Sequence, residues 1–371
     1  MNFETSDELK TVRDSLARVL ADHYTPTHRQ AMVGDETAYA AQAWKEMAGL
    51  GLAGLQVPEA FDGLDFQATD LLPLFHELGQ ALAPVPFLST SVLGATALQA
   101  CSDAEVQREL LPPLAAGALQ VTCPHGFVPA ASGVRAQAQG SGWRLEGVHK
   151  HMPYAASADW LVVSARTGDG AGGDACLFLV ARHAPGVRLR PYRLIDGTPA
   201  ADVHLEGAEA TALCTPGSAQ AHEAMEAANA AGIAAACAEM VGAMEAALRL
   251  TVDYVKTRQQ FGRAIGENQA LRHRIAEMLV ALETARSMSI AAAVAVRDGG
   301  FAKAQTRADL HRAKFLVGRN ARTVCQSAIQ LHGGIGMTEE YTVGHYLRRV
   351  HVLDQQFGDG VSHLKQLARV E

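Results

Sequence analysis

The chain has 371 residues, 48% hydrophobic and 19% charged, with a formal net charge of -7 and a pI near 6.1. Such a composition excludes an intrinsically disordered chain and leaves room for two or three domains with a substantial core. The acidic balance and the lack of a Lys/Arg run argue against nucleic acid as a partner.

The N-terminal stretch MNFETSDELKTVRDSL is polar and amphipathic, unlike a secretory leader or an Arg-rich transit peptide. No run of about 18 apolar residues is free of charge, so no membrane span is expected. The cysteines Cys101, Cys123, Cys176, Cys214, Cys237 and Cys325 form no CxxC pair. They read as buried thiols of a reducing, cytoplasmic compartment. The 15 histidines include no HExxH or comparable helical pair, and no metal is expected.

From Phe3 to about Gly117 the pattern is helical. Leu9, Val12, Leu16, Val19 and Leu20 recur at helical spacing over residues 8–21. The Gly/Pro-containing LGLAGLQVPEAFDGLDF ends one helical region before a second helix, predicted over 68–82. Pro84 and Pro86 break the chain again, and a short helix is predicted over 105–114.

From about Ala118 to Pro216 the character changes. The runs WRLEGVHKH, DWLVVSAR, ACLFLVAR and GVRLRPY are β-branched or alternating, with Gly, Ser, Asp and Pro between them. They predict an antiparallel β-domain of barrel or sandwich type. The Gly-rich TGDGAGGDA, at 167–175, reads as a hairpin tip. No helix follows it, which rules against a phosphate loop.

The remainder is helical again, with bundle-length helices predicted over 222–256, 269–297 and 302–331. Between the first two lies YVKTRQQFGRAIGENQALRHRIAEM. Its plain reading is a helix hairpin with Arg258 as cap, Phe261 as plug and Gly262 as turn. After the third comes QLHGGIGMTEEY, where a Gly pair past a helix is ordinarily a C-cap. The sharper reading is that Gly333 and Gly334 admit close approach of a phosphate or adenine to backbone amides.

Taken together, the helical, β and helical blocks followed by Arg-x-x-Phe-Gly and Gln-x-x-Gly-Gly-x-Gly resemble the acyl-CoA dehydrogenase family over nearly the whole chain. GLAGLQVPEAFDGLDF, HELGQALAPVP and LEGVHKHMPYAASADWLVVSAR add to the resemblance. It implies an α+β fold with an N-terminal helical domain (1–117), a middle antiparallel β-domain (118–218) and a C-terminal four-helix bundle (219–371). It implies FAD as cofactor, an acyl-CoA thioester as substrate and an electron-transfer flavoprotein as electron acceptor. A homo- or heterotetramer is implied as well. By carry-over, Arg258 meets the FAD pyrophosphate of a neighbouring subunit, Phe261 packs on that cofactor, and Gln330, Gly333 and Gly334 line the adenosine end. Thr122 belongs to the segment against the flavin.

The chain departs from that pattern at three places. The flavin-facing segments read TCPHG (122–126) and His151-Met152-Pro153; Thr122 and Pro124 persist, but the family's indole and flavin-side threonine do not. One position of the family's base falls on Gly232, and the nearby Glu223, Glu226 and Glu239 lie in other registers and read as solvated or partly buried. The other falls on Gly358 or Asp359, depending on where one inserted residue is placed in VLDQQFGDGVSHL. Asp359 is therefore a candidate base, with a turn carboxylate as the equal alternative, and Asp354 is a weaker one. Such departures resemble the smaller chains of heteromeric acyl-CoA dehydrogenases. Two functions stay open: a dehydrogenase subunit with Asp359 as base, or a non-catalytic partner that completes another chain's FAD site.

Overall fold

The computed structural model describes residues 6–25, 41–124, 126, 133–140, 142–167, 173–299 and 303–370. Its contacts divide the chain into two compact units: Met1–His28, Ala68–Ala83 and Ile233–Glu371 form one, and Arg29–Gln67 with Pro84–Gly232 the other. The helical, β and helical blocks occur in the expected order along the chain.

In the second unit, α2 (Ala41–Gly49) precedes a fully buried π-helical segment, Phe87–Gly94. Trp44 of α2 packs against Phe87 with ring centroids 5.4 Å apart, and its indole N–H donates to the Gly117 carbonyl at 3.1 Å. Two short helices follow, α4 (Ala95–Gln99) and α5 (Ala104–Ala115); Asp103 caps the latter by accepting from the Glu105 N–H at 2.8 Å.

Seven strands follow: β1 (Val121–Thr122), β2 (Gly133–Gln139), β3 (Gly142–Pro153), β4 (Trp160–Thr167), β5 (Ala175–Ala181), β6 (Val187–Arg193) and β7 (Pro199–Ala212). The order β4-β2-β3-β7-β5 closes on itself because β5 pairs with both β7 and β4, and β6 adds to β7. This is the barrel alternative. It is antiparallel except that β1 and β2 each run parallel to β4; β3, antiparallel to β2, ends beyond the point where β2 began, and β4 sets out from there in β2's direction. In β5 the run Cys176–Val180 is buried on both faces, which explains its unbroken apolar character. Phe178 meets Trp143 edge-on at 5.4 Å. Of the Gly-rich 167–175 stretch, residues 168–172 lie outside the described residues.

The first unit is helical. Ser6 caps α1 (Asp7–His23) by accepting from the Leu9 N–H at 3.1 Å. α1 buries Leu9, Leu16 and Leu20 and packs on α3 (Ala68–Ala81). The long helices are α6 (Ala219–Thr257), α7 (Gln269–Gly299) and α8 (Ala304–His332). Two shorter ones, α9 (Val343–Gln355) and α10 (Gly360–Val370), pack on α8. α3 and α6 touch backbone to backbone: a methyl at Gly79 would overlap the Glu239 carbonyl, and one at Gly242 the His76 carbonyl. By length and composition, α6 and α7 could cross a membrane, which the sequence reading did not anticipate; α6 is buried inside the chain along its apolar stretch. All six cysteines are free and buried.

Candidate functional site

Between α6 and α7 the chain forms a β-hairpin, β8 (Gln259–Gln260) and β9 (Arg263–Ala264), not the bare helix–helix turn expected. Its two-residue tip is Phe261, with φ +54°, and Gly262, with φ +81°. Two successive left-handed residues match the twist of such a hairpin. A left-handed phenylalanine is uncommon and is tolerated where its surroundings fix it. The consequence corrects the expectation of a plug: the Phe261 side chain is 101% exposed. Arg258 stands at the base of the hairpin. Its N–H donates to Tyr254 O at 2.8 Å, its carbonyl accepts from Ile265 at 2.9 Å, and its side chain is exposed.

The Gln330–Gly334 turn closes α8. Gly333 caps the helix with φ +65° and ψ −142°, a backbone region open essentially only to glycine, and its N–H bonds back to the last turn of the helix. A Cβ built on Gly333 or Gly334 meets no heavy atom within 4 Å. Packing therefore does not demand glycine at either place; Gly333's backbone does. Gln330, Gly333, Gly334, Ile335 and Met337 are all exposed.

An aromatic cluster that the sequence reading missed joins these two motifs. Tyr254, one turn before Arg258, stacks on His332 with ring centroids 4.4 Å apart and an interplanar angle of 27°. His332 Nδ1 lies 2.7 Å from the Ala328 carbonyl, so it carries the proton. Nε2, 3.1 Å from the Tyr341 hydroxyl, is then the acceptor. Burial lowers the imidazole pKa and keeps the ring neutral. The signal available in sequence was the position of Tyr254 and His332, each beside a recognised motif.

Asp359 lies at the start of α10. Its Oδ1 accepts from the Ser362 N–H at 2.9 Å and from the Ser362 hydroxyl at 2.6 Å. This is the N-cap arrangement. Those hydrogen bonds hold the carboxyl below the usual carboxylate range. A base for a weak carbon acid requires the opposite shift. Below the turn, Lys314 is fully buried and donates to the carbonyls of Asp354, at 2.8 Å, and Gly358, at 3.3 Å. Asp354 is itself buried, with Lys314 Nζ 4.0 Å from Oδ1 and Arg322 Nε 3.4 Å from Oδ2. At the end of α9, where the chain enters the turn before Asp359, it is an internal ion-pair partner.

Gly232 is helical and buried in α6. Glu223 is exposed, and Glu226 sits 3.3 Å from His222 Nε2. Glu239 differs from the expectation: it is 2% exposed and paired with Arg349 at 2.6 Å. The i+4 pattern of α6 turns it inward, and α9 supplies the guanidinium that makes burial tolerable.

In the second unit Thr122 is fully buried, and its hydroxyl donates to the Pro153 carbonyl. Thr122 therefore ties TCPHG to His151-Met152-Pro153, and its hydroxyl is committed to that tie. His125 of TCPHG lies outside the described residues. Among the described residues no group of three or more His, Cys, Asp or Glu side chains could hold a metal ion.

Comparison with known proteins accords with this arrangement. Residues 6–118 match the model of the acyl-CoA dehydrogenase N-terminal domain, and residues 222–370 that of the acyl-CoA dehydrogenase C-terminal domain. The chain is 30% identical to acyl-CoA dehydrogenase IpdE2 of Mycobacterium tuberculosis (strain ATCC 25618 / H37Rv), over 93% of this chain and 91% of that protein. It is also similar to a solved variant of the Tcur3481-Tcur3483 steroid ACAD, with 30% identity, a TM-score of 0.87 and coverage of 98% and 97% of the two chains. The FAD complex of PigA has the same fold, at 23% identity, a TM-score of 0.84 and coverage of 100% and 98%. Fold, family models and a relative at this identity agree that the chain belongs to the acyl-CoA dehydrogenase family.

Proposed function

We propose that this chain is a subunit of a two-chain, FAD-dependent acyl-CoA dehydrogenase acting on a bulky acyl-CoA of the steroid-derived kind. In this reading the partner chain supplies the base that removes the α-proton. The observation that carries it is the carboxylate of Asp359: it caps α10 and is held below the usual carboxylate range, while the alternative position is Gly232. The relation to a solved steroid ACAD named for two chains supports the same reading.

The residues present suit FAD. Arg258 offers an exposed guanidinium to a pyrophosphate. Phe261 offers a ring held clear of its own chain. At Gly333 and Gly334 the side of the backbone where a Cβ would stand meets no protein atom, so a ligand can approach the main chain there. Gln330 adds an amide beside them. FAD, when bound, supplies the acceptor for the β-hydride. The electrons go on to an electron-transfer flavoprotein. This chain's own part is to bind and orient, and the subunits assemble as a heterotetramer in the cytoplasm.

The test is purification of the chain alone and with an acyl-CoA dehydrogenase-like partner, counting flavin per chain and following flavin reduction by steroid-derived acyl-CoA. The expected result is little flavin alone, one flavin shared by the two chains in the complex, and reduction that survives Asp359→Asn. A yellow homo-oligomer reduced by substrate, and inactivated by Asp359→Asn, would overturn the assignment.

A further inference from the structure

The barrel closes where β5 meets β7, and that seam is short. β5 pairs with β4 along its whole length, from Ala175–Arg166 to Ala181–Trp160. With β7 its described pairs are Phe178–Ala212 and Leu179–Thr211. The Leu213 N–H extends the seam by donating to the Leu177 carbonyl at 2.9 Å. One step further along both chains stand Cys176 and Cys214, and they meet: Cys176 Sγ donates to the Cys214 carbonyl at 3.1 Å. Cys214 Sγ in turn donates to the Ala100 carbonyl at 3.1 Å. The Ser102 N–H holds that neighbouring segment in place by donating to the Leu213 carbonyl at 2.7 Å.

Residues opposite each other across antiparallel strands have Cα atoms about 4.5–5.5 Å apart. A disulfide spans about 4.4–6.8 Å, so joining these sulfurs calls for rotation of two side chains and no movement of the strands. Cys101, the third thiol of the cluster, is turned to the Asp103 backbone instead. Cys176 and Cys214 are both buried, but Thr215, next to Cys214, and Ser102 are exposed, so Cys214 lies just beneath the surface. The pair is also remote from Thr122 along the sheet: Cys176 stands opposite Ala165 of β4, and Thr122 opposite Leu161. Its burial comes from its own chain and involves no cofactor. Burial pushes the Cys214 thiol up to about 11, with Cys176 and Cys101 adding to it, and raises Cys176 as well. At neutral pH both stay as thiols, so the pair answers to sustained rather than brief oxidation.

We propose that Cys176 and Cys214 are a redox couple that closes to a disulfide and staples the β5–β7 seam of the barrel, with a low-molecular-weight disulfide as oxidant. The Cys214 thiolate, nearer the surface, attacks one sulfur of that reagent. The reagent's S–S bond breaks as a bond to Cys214 Sγ forms, and one thiolate leaves. The Cys176 thiolate then attacks Cys214 Sγ and displaces the second thiolate. Two protein thiols give up two electrons and two protons, and the reagent becomes two thiols. The new bond lies at the strand pairing that holds the barrel shut, so oxidation stiffens the seam. The couple uses no flavin, substrate or partner chain and stands apart from the subunit role proposed above.

The experiment incubates the purified full chain with oxidised glutathione and maps its peptides by mass spectrometry without reduction. The expected product is a Cys176–Cys214 cross-link with loss of two hydrogens, reopened by excess reduced glutathione. Its rate should rise about tenfold per pH unit between about pH 7 and 9, because the attacking thiol titrates above that range. Hydrogen–deuterium exchange at the Leu213 amide should slow several-fold on oxidation, while β2 and β3 stay unchanged. Cys176→Ser should stop at the mixed disulfide on Cys214, and Cys101→Ser should cross-link as the native chain does. A cross-link to Cys101, no cross-link after prolonged incubation, or a Leu213 amide that exchanges alike in both states would overturn the proposal. The native chain alone supplies those three readings, so they stand even if a variant fails to fold.

Discussion

The ring of His332 lies on the ring of Tyr254, with centroids 4.4 Å apart, and so fastens the end of α8 to the last turn of α6. Arg258 and Phe261 follow one ring in the chain, and Gln330, Gly333 and Gly334 surround the other. Two motifs far apart in sequence are thereby held by one contact. A stacked pair of this kind contributes about 0.5–1.5 kcal/mol beyond area burial.

In the subunit role proposed above, His332→Ala should accordingly lower FAD affinity of the two-chain complex by about tenfold, since that factor corresponds to about 1.4 kcal/mol. Tyr341→Phe removes only the hydroxyl that meets His332 Nε2 and should have a smaller effect. Flavin fluorescence during dilution of the complex measures both. Equal affinity in His332→Ala would show that the two motifs keep their places without the stack.

Asp359→Ala should destabilise the chain by about 1 kcal/mol through loss of an N-cap, and Asp359→Asn by less, because an amide oxygen still accepts from Ser362. The sign with pH follows from the depressed carboxyl. Its contribution is complete above the unfolded value near 3.8 and is lost as pH falls through the lower folded value. Urea midpoints of the native chain and Asp359→Ala should therefore differ near neutrality and converge in acid.

Glu239 and Arg349 form a pair between α6 and α9 with both side chains largely buried. Removing one partner leaves an uncompensated charge, so Glu239→Ala should cost about 3–5 kcal/mol. Replacing both by methionine should cost much less. If the single and double variants melt together, the pair is not the element that anchors α9.

His363 is buried beside His311, with the two Nδ1 atoms 2.8 Å apart, so one ring donates and the other accepts. Burial, with Lys314 and His311 adding to it, pushes the His363 pKa down to about 3. The unfolded chain binds a proton near pH 6.5 that the folded chain refuses. Stability is thus fully present above pH 6.5 and falls, by roughly 1.4 kcal/mol per pH unit, as pH drops toward 3. His363→Leu should flatten that slope between pH 6.5 and 4.5 in urea titrations. An unchanged slope would place the acid sensitivity in this window elsewhere, for example at His311, whose pKa burial also lowers; Glu245, held down at about 2 by His76 and Arg286, acts only below about pH 4.5.

Much of the architecture was legible in the residues. Helices expected over 222–256, 269–297 and 302–331 are Ala219–Thr257, Gln269–Gly299 and Ala304–His332. Strand β7 was not legible: its buried side includes Ala201, Ala208 and Ala210, and alanine carries little strand preference. It is a strand because β3 and β6 pair with it on either side. The plain reading of Phe261 as a plug follows from its apolar type, while its direction depends on two left-handed residues in a hairpin that leave it exposed.

What the sequence determined by itself is the order of helical, β and helical blocks, the family, and the two motifs around Arg258 and Gly333. Periodicity and short spacings carry that information because they depend on neighbours along the chain. Only the tertiary structure decided what Asp359, Glu239 and Cys176 do. Glu239 meets Arg349 across 110 positions, and Cys176 meets Cys214 across 38. Even Asp359, whose partner is three residues away, became a cap only because α10 begins beside it. A side chain's charge state and free atoms are set by whatever packing brings to it, and no local pattern encodes that.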